Sequence, residues 1–268
     1  MKRLAYILMT FALLAGCTKA ETGRGEENTS TVHFSVGTLH TFVGEGVKST
    51  GDGSSATQLL VGVFDAAGNA IEGYSKAVSR SAGEAFDFEL ALVNNITYKV
   101  VFFAQSPGRY VNTASWTAEG LKNISLSFGA LNADADDAFA AVKEITVTGS
   151  GNVTVSLSRI FAQVNVASST DPDAVSVSLK LTGIPTAYNA FAGSFAGSAD
   201  VTWTADAPLG VSSPFAGYDY YIGYAYVPVC ASGFTDATIT IGDAGDKVKT
   251  VSSVPLRANY RTNILGEI

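Results

Sequence analysis

The sequence predicts an all-β protein organised as antiparallel β-sandwiches, and three features carry that prediction. Apolar residues recur at every second position through most of the chain, the pattern of strands that bury one face. The apolar runs are short and are separated by turn-forming glycine, asparagine and serine. Helical periodicity is nearly absent, with one short helix expected over residues 136–141 and a turn near residues 116–121.

Taken in order, Val32, Phe34 and Val36 mark a first strand over about residues 31–43. Leu59/Val61/Val63, Phe86/Phe88/Leu90, Tyr98/Val100/Phe102 and Ile124/Leu126/Phe128 continue the alternation. Ile145/Val147, Val153/Val155/Leu157 and Ile160/Ala162/Val164/Val166 follow. The last third adds Val175/Val177/Leu179/Leu181, Val201/Trp203, Tyr220/Ile222/Tyr224/Tyr226, Ile239/Ile241 and Val248. Turn signals such as Ala67-Gly68-Asn69, Ser106-Pro107-Gly108, Gly149-Ser150-Gly151 and Asp243-Ala244-Gly245 punctuate these runs. Phe86, Phe88, Val100, Phe102, Val155 and Val164 are the expected core.

At 47% hydrophobic and 15% charged residues, the 268-residue chain has the apolar content of a folded domain and too little charge for a disordered one. The net charge of −7 argues against a nucleic-acid partner, which needs clustered Lys and Arg. Two cysteines exclude a disulfide scaffold, and the two histidines, His33 and His40, leave no metal-ligand set, so neither metal nor cofactor is expected. No nucleophile motif, phosphate loop or framed carboxylate pair is present, and the chain reads as a non-enzyme. Asp134, Asp136 and Asp137 could offer oxygens to calcium, but without the turn glycine and closing Glu of a calcium loop they read as a helix cap and solvated loop. Cys230 reads as a small buried hydrophobe.

The N-terminus carries an address. Lys2 and Arg3 precede an apolar run over residues 4–16, too short to cross a bilayer as a helix. The run ends in Leu14-Ala15-Gly16-Cys17, which resembles the bacterial lipobox, so residues 1–16 read as a lipoprotein signal peptide and Cys17 as the lipid attachment site. An ordinary signal peptide with an incidental cysteine is the alternative. Cleavage before Cys17 removes Lys2 and Arg3 from the 17 basic residues and none of the 24 acidic ones, leaving a net charge of −9. Residues 17–30 form a polar tether, and the acyl chains on Cys17 would bind membrane lipid. The remaining length allows one large sandwich or two ordinary ones. The polar run Ser168-Ser169-Thr170-Asp171-Pro172-Asp173 is the best break, giving units over 31–168 and 172–268, with no visible internal repeat. Tyr220, Tyr224, Tyr226 and Trp203 are either packing residues or aromatics that stack on sugar rings.

Three patches carry a resemblance. The lipobox with its tether, residues 138–147 (AFAAVKEITV) followed by 153–166 (VTVSLSRIFAQVNV), and residues 254–266 (VPLRANYRTNILG) are together similar to the Bacteroidales fimbrillin superfamily, the type V pilus subunits and fimbrillin-like surface lipoproteins. The resemblance implies two tandem transthyretin-like β-sandwiches, surface exposure on the outer membrane, other pilus subunits as partners, and assembly by β-strand addition after cleavage behind the first strand. Val32, Phe34 and Val36 would then be the residues that fill the first-strand groove. Lys48 is the candidate processing site, in place of the arginine of the best-known pilins, and the chain ends soon after the last patch. Both departures favour an anchor, an accessory subunit or an unpolymerised surface lipoprotein over a main shaft subunit. A surface glycan-binding or adhesive lipoprotein, using exposed Tyr and Trp toward a host or glycan ligand, is the second reading. Arg159, Arg257 and Arg261 are expected at strand edges with their guanidinium groups outward.

Overall fold

Residues 86–93 read F-D-F-E-L-A-L-V, and the side chains alternate between core and solvent as the pattern requires. A computed structural model describes residues 28–37, 51–173, 176–242 and 247–268. Cys17, His40, Lys48, the signal peptide and nearly all of the tether lie outside the described residues.

The described chain is all-β. It opens with β1 (Thr29–Gly37), β2 (Gln58–Phe64), β3 (Lys76–Ser79), β4 (Phe86–Val93) and β5 (Thr97–Gln105). Then come β6 (Ile124–Ser125), β7 (Ala138–Thr146), β8 (Gly151–Ser156) and β9 (Ser158–Arg159). Sheet β4-β1-β8 packs on sheet β3-β2-β5-β7-β9 through a core that includes Phe34, Val61, Phe86, Val100, Phe102 and Val155. The second half runs β10 (Ala162–Ser168), β11 (Val177–Ile184), β12 (Ala187–Asn189), β13 (Ser194–Ala196) and β14 (Ala199–Ala205). It ends with β15 (Ser212–Phe215), β16 (Tyr218–Val227), β17 (Phe234–Ile241), β18 (Lys247–Pro255) and β19 (Arg261–Gly266). Here sheet β15-β16-β10-β19 packs on sheet β14-β11-β17-β18 around Val164, Val166, Trp203 and Ile239.

The two halves repeat one topology. The order β4-β1-β8 over β3-β2-β5-β7 recurs as β16-β10-β19 over β14-β11-β17-β18. Pairing senses match as well: β1 is antiparallel to β4 and parallel to β8, and β10 is antiparallel to β16 and parallel to β19. No repeat shows in the residues, because strand order is set by pairing while the shared period-two pattern is common to any half-buried strand.

Several expectations are corrected. The first strand begins at Thr29, inside the expected tether. β10 was expected to close the first unit, but it hydrogen-bonds to β16 and β19, so the passage between sheet pairs falls at Ile160-Phe161. The polar run after Ser168 lies within the second half, between β10 and β11, and Ser169 N–H donates to the Gly266 carbonyl. The helix expected over 136–141 is a 3-10 turn, Asp134–Asp136, followed by β7. Ala138 to Ala141 pair with Gln105 to Phe102, and this ladder outweighs alanine's helix preference. The turn near 116–121 appears as the 3-10 helix Glu119–Lys122.

A third core joins the halves. It combines the outer face of β2 and β5 (Leu60, Phe64, Val101, Phe103) with Phe161, Tyr188 and the outer face of β16. A small sheet, β13-β12-β6, carries residues of both halves across the same seam. Phe102, fully buried and 5.9 Å from the Phe34 ring, is central to the first core. Phe102→Ala should lower stability by about 3–5 kcal/mol, read as a fall in denaturant midpoint far larger than that of a surface variant such as Thr202→Ala.

Candidate functional site

The first strand fills a slot between two others. Val32, Phe34 and Val36 point into the core, while Thr31, His33 and Ser35 reach toward solvent. Phe34 lies flat on Phe88, ring centroids 5.1 Å apart and planes within 7°. The register opposes Phe34 to Phe88 on β4 and to Val153 on β8. Taking β1 away would uncover an apolar trough and leave the facing edges of β4 and β8 without partners. His33 stands 3.7 Å from Glu89 and 3.9 Å from Asp87 on the outer face.

Residues 51–56, just before β2, are held by two arginines. Arg80 donates from Nε to the Ala56 carbonyl at 3.2 Å, and from Nη2 to the Gly53 carbonyl at 3.3 Å. The Gly51 carbonyl accepts from Arg159 Nη2. Arg159 also donates to both oxygens of Asp137, at 2.8 and 2.9 Å, and to Asn259 Oδ1 at 3.0 Å, and its guanidinium lies 4.7 Å from the Phe139 ring centroid. This guanidinium was expected to point outward. Instead its side chain is 0% exposed and that of Asp137 1%, because the seam between the halves closes over both. One buried cation thus ties the end of the first-strand connection, the loop before β7 and the tail before β19.

The aspartate loop is likewise no solvated cap. Asp136 is buried against Arg109 and Asp134 accepts from the Tyr224 and Tyr226 hydroxyls at 2.8 and 3.1 Å. Burial pushes the Asp137 carboxyl up to about 6, against the pull of Arg159. Burial first, then the nearby aspartate charges, raises both tyrosine hydroxyls far above their ordinary range. Among the described residues no group of three His, Cys, Asp or Glu is arranged to hold a metal ion. Arg261 is half-buried, its Nε donating to Gln163 Oε1 at 2.8 Å, whereas Arg257 is exposed and lies over the Tyr260 ring.

The aromatics expected to meet a ligand are mostly core. Trp203 is fully buried beside Phe128, and Tyr224 and Tyr226 are buried at the seam; only Tyr220 of the four is exposed, at 38%. Tyr220 borders an open depression with Asp171, Val211 and Asp219. Cys230 is buried, its thiol raised by burial. Asp137, Gly51 and Asn259 were missed as a unit. A signal existed, since Arg159 interrupts the apolar run Leu157-Ser158-Arg159-Ile160-Phe161, where a lone charge implies a buried partner.

No curated protein matches the chain. Solved structures do share its fold. A candidate cell adhesion protein of Bacteroides eggerthii is 12% identical with a TM-score of 0.52, the alignment covering 90% of this chain and 88% of that one. The fimbrial anchor protein Mfa2 of Porphyromonas gingivalis is 13% identical at 0.51, covering 88% and 90%. A candidate polysaccharide binding protein of Bacteroides thetaiotaomicron is 14% identical at 0.50, covering 84% and 79%. The fold is fimbrillin-like, as the sequence patches implied. A family profile matches residues 27–268, the whole of the described chain, and the protein belongs to that family, the family of unknown function DUF6562.

Proposed function

We propose that this protein is a fimbrillin-like surface lipoprotein, an accessory or anchor-type pilus component with an adhesive role, built from two tandem sandwiches and held to the outer membrane by acyl chains on Cys17. The observation that carries the reading is the position of β1: first of the described strands, hydrogen-bonded on both sides, and burying three apolar side chains in a trough that an extended segment of another subunit could fill. Such strand addition combines main-chain hydrogen bonds with pockets for alternate side chains. The anchor-type role is compatible with the fold, which a fimbrial anchor protein shares. Lys48 is the proposed processing site, since it is the basic residue between β1 and β2. Burial of Trp203, Tyr224 and Tyr226 leaves the glycan-binding alternative without most of its contact residues.

Lipid attachment is tested by Cys17→Ser. Serine cannot form the thioether, so acyl labelling should disappear and the protein should leave the membrane fraction or keep its signal peptide. Mass and N-terminal analysis of the wild-type protein recovered from the envelope should show a lipidated Cys17. Unchanged labelling in the variant, or a wild-type N-terminus elsewhere without lipid, would remove the anchor from the proposal.

A further inference from the structure

Where β10 ends, the second sandwich carries an open depression of about 490 Å³, formed by residues 171–173, residues 208–212 and the start of β16. Its walls are held by hydrogen bonds. Leu209 N–H donates to the Ile222 carbonyl at 3.0 Å, Ser212 pairs with Tyr220, and Asp173 N–H donates to Asp171 Oδ1 at 3.0 Å. A volume of this order suits a small-ligand site. The charged side chains of the lining are Asp171, Asp173 and Asp219, and no lysine, arginine or histidine stands among them. Other acids of the chain are paired: Asp136 with Arg109, Asp137 with Arg159, Glu119 with Lys122 and Asp200 with Lys180. These three have no ion-pair partner among the described residues. The rim is also apolar. Of the seven large hydrophobic residues exposed among the described ones, Val211 at 54% and Tyr220 at 38% both line this depression, together with Pro208.

We propose that this depression binds an alkylammonium group, a positive nitrogen carried on a methylene chain. Carboxylates without a basic neighbour select a cation, through charge-assisted hydrogen bonds that only a donor can make. A bare metal ion leaves the apolar rim unexplained, and among the described residues no set of three acidic, His or Cys groups is placed to hold one. An ammonium on an aliphatic stem answers both features. The nitrogen donates to the carboxylates while the stem covers Val211 and Pro208, as lysine stems cover apolar surface within proteins. Tyr220 adds an aromatic ring, whose face attracts cations. A neutral sugar would use the ring and leave the three charges unanswered, and an acidic sugar or a phosphate would be repelled. The same chemistry reaches the site from two sources, a free polyamine or the lysine side chain of a polypeptide. The depression shares no residue with the β1 trough, so its ligand is independent of strand addition.

Calorimetric titration with diaminopentane tests this on the chain from Thr18, which keeps every described residue. Binding should be saturable and should vanish with pentanediol, the neutral counterpart. Raising salt from about 20 mM to about 200 mM should weaken it about fivefold, since these carboxylates are exposed to screening. Asp219→Asn should weaken it about fivefold and Val211→Ser about threefold. Glu144→Gln, which removes an exposed acid on β7, should change nothing. Hydrogen exchange should show ligand-dependent protection at residues 208–212 and 219–221 and none in β7. A blocked Gly-Lys-Gly peptide that displaces the diamine, while its acetyl-lysine form does not, would support the site with a polypeptide as the source. Displacement by spermidine and not by the peptide would support it with a free polyamine as the source. The proposal would be overturned by an absence of saturable binding, or by equal weakening in Glu144→Gln and Asp219→Asn, the mark of diffuse attraction to an acidic protein. Displacement of the diamine by an equal concentration of Mg²⁺ would overturn it too, since the stem would then contribute nothing.

Discussion

A chain beginning at Ser49 should be unable to persist as a soluble monomer. Without β1, the side chains that packed on Val32, Phe34 and Val36 face water, among them Phe88, Leu90 and Phe102. Each buried side chain of this kind contributes about 1.5–3 kcal/mol, so three of them together are comparable to the whole stability of a typical domain. The facing edges of β4 and β8 lose their main-chain partners at the same time, which makes a template for another chain's strand. The shortened chain should therefore aggregate, polymerise, or bind a synthetic peptide of residues 29–37 tightly enough to return to a monomer in size-exclusion chromatography. A chain beginning at Thr18 should stay monomeric and ignore the peptide. Were the Ser49 chain a stable monomer indifferent to the peptide, the slot would be a structural feature only, and a passive surface role would replace strand addition.

The fold was legible where burial alternates cleanly. In β4 and β1 each apolar residue of the pattern is in the core, because one face of the strand meets solvent and the other the opposing sheet. Legibility failed where both faces are buried. β10 carries Gln163 and Asn165 among Val164 and Val166, and nothing in that alternation says that the polar face also lies inside, under a seam built from the other half. The same seam hid the roles of the aromatics: Tyr224 and Tyr226 read as packing residues with hydroxyls at the rim, or as ligand residues, and their hydroxyls are found on Asp134. The placement of β10 failed for a related reason, since the polar run after Ser168 looks like a linker between units and instead lies within the second half, between β10 and β11. Of the candidate site, the apolar face of β1 could be read from three residues. The clamp could not, because Asp137, Arg159 and Asn259 are brought together from positions 22 and 100 residues apart.

Arg159→Met should be among the most damaging single substitutions in the chain, at about 3–5 kcal/mol near neutral pH, the usual consequence of removing one partner of a buried ion pair. Methionine keeps much of the stem's packing against Phe139 but leaves Asp137 as an uncompensated charge in the seam. The pH dependence follows from the sign of the Asp137 shift. Burial already holds its carboxyl at about 6, above the unfolded value of 3.8, so the folded state binds the proton more tightly than the unfolded chain does. Stability from this group is complete below about pH 4 and falls as pH rises through the folded value. Losing Arg159 removes the attraction that opposes burial, so the folded value rises further and the defect should be small at pH 4.5 and large at pH 7.5 in denaturant titrations. Pairing Asp137→Ala with Arg159→Met removes the stranded charge, and the double variant should recover much of the loss at pH 7.5, since a buried pair adds little net stability over apolar neighbours. A defect independent of pH, or a double variant as unstable as the two singles added together, would mean that Arg159 acts through its bonds to Gly51 and Asn259 rather than through Asp137. Recovery in stability without recovery of protection at residues 51–57 would show instead that the ion pair's role is to fix how the first-strand connection meets the tail.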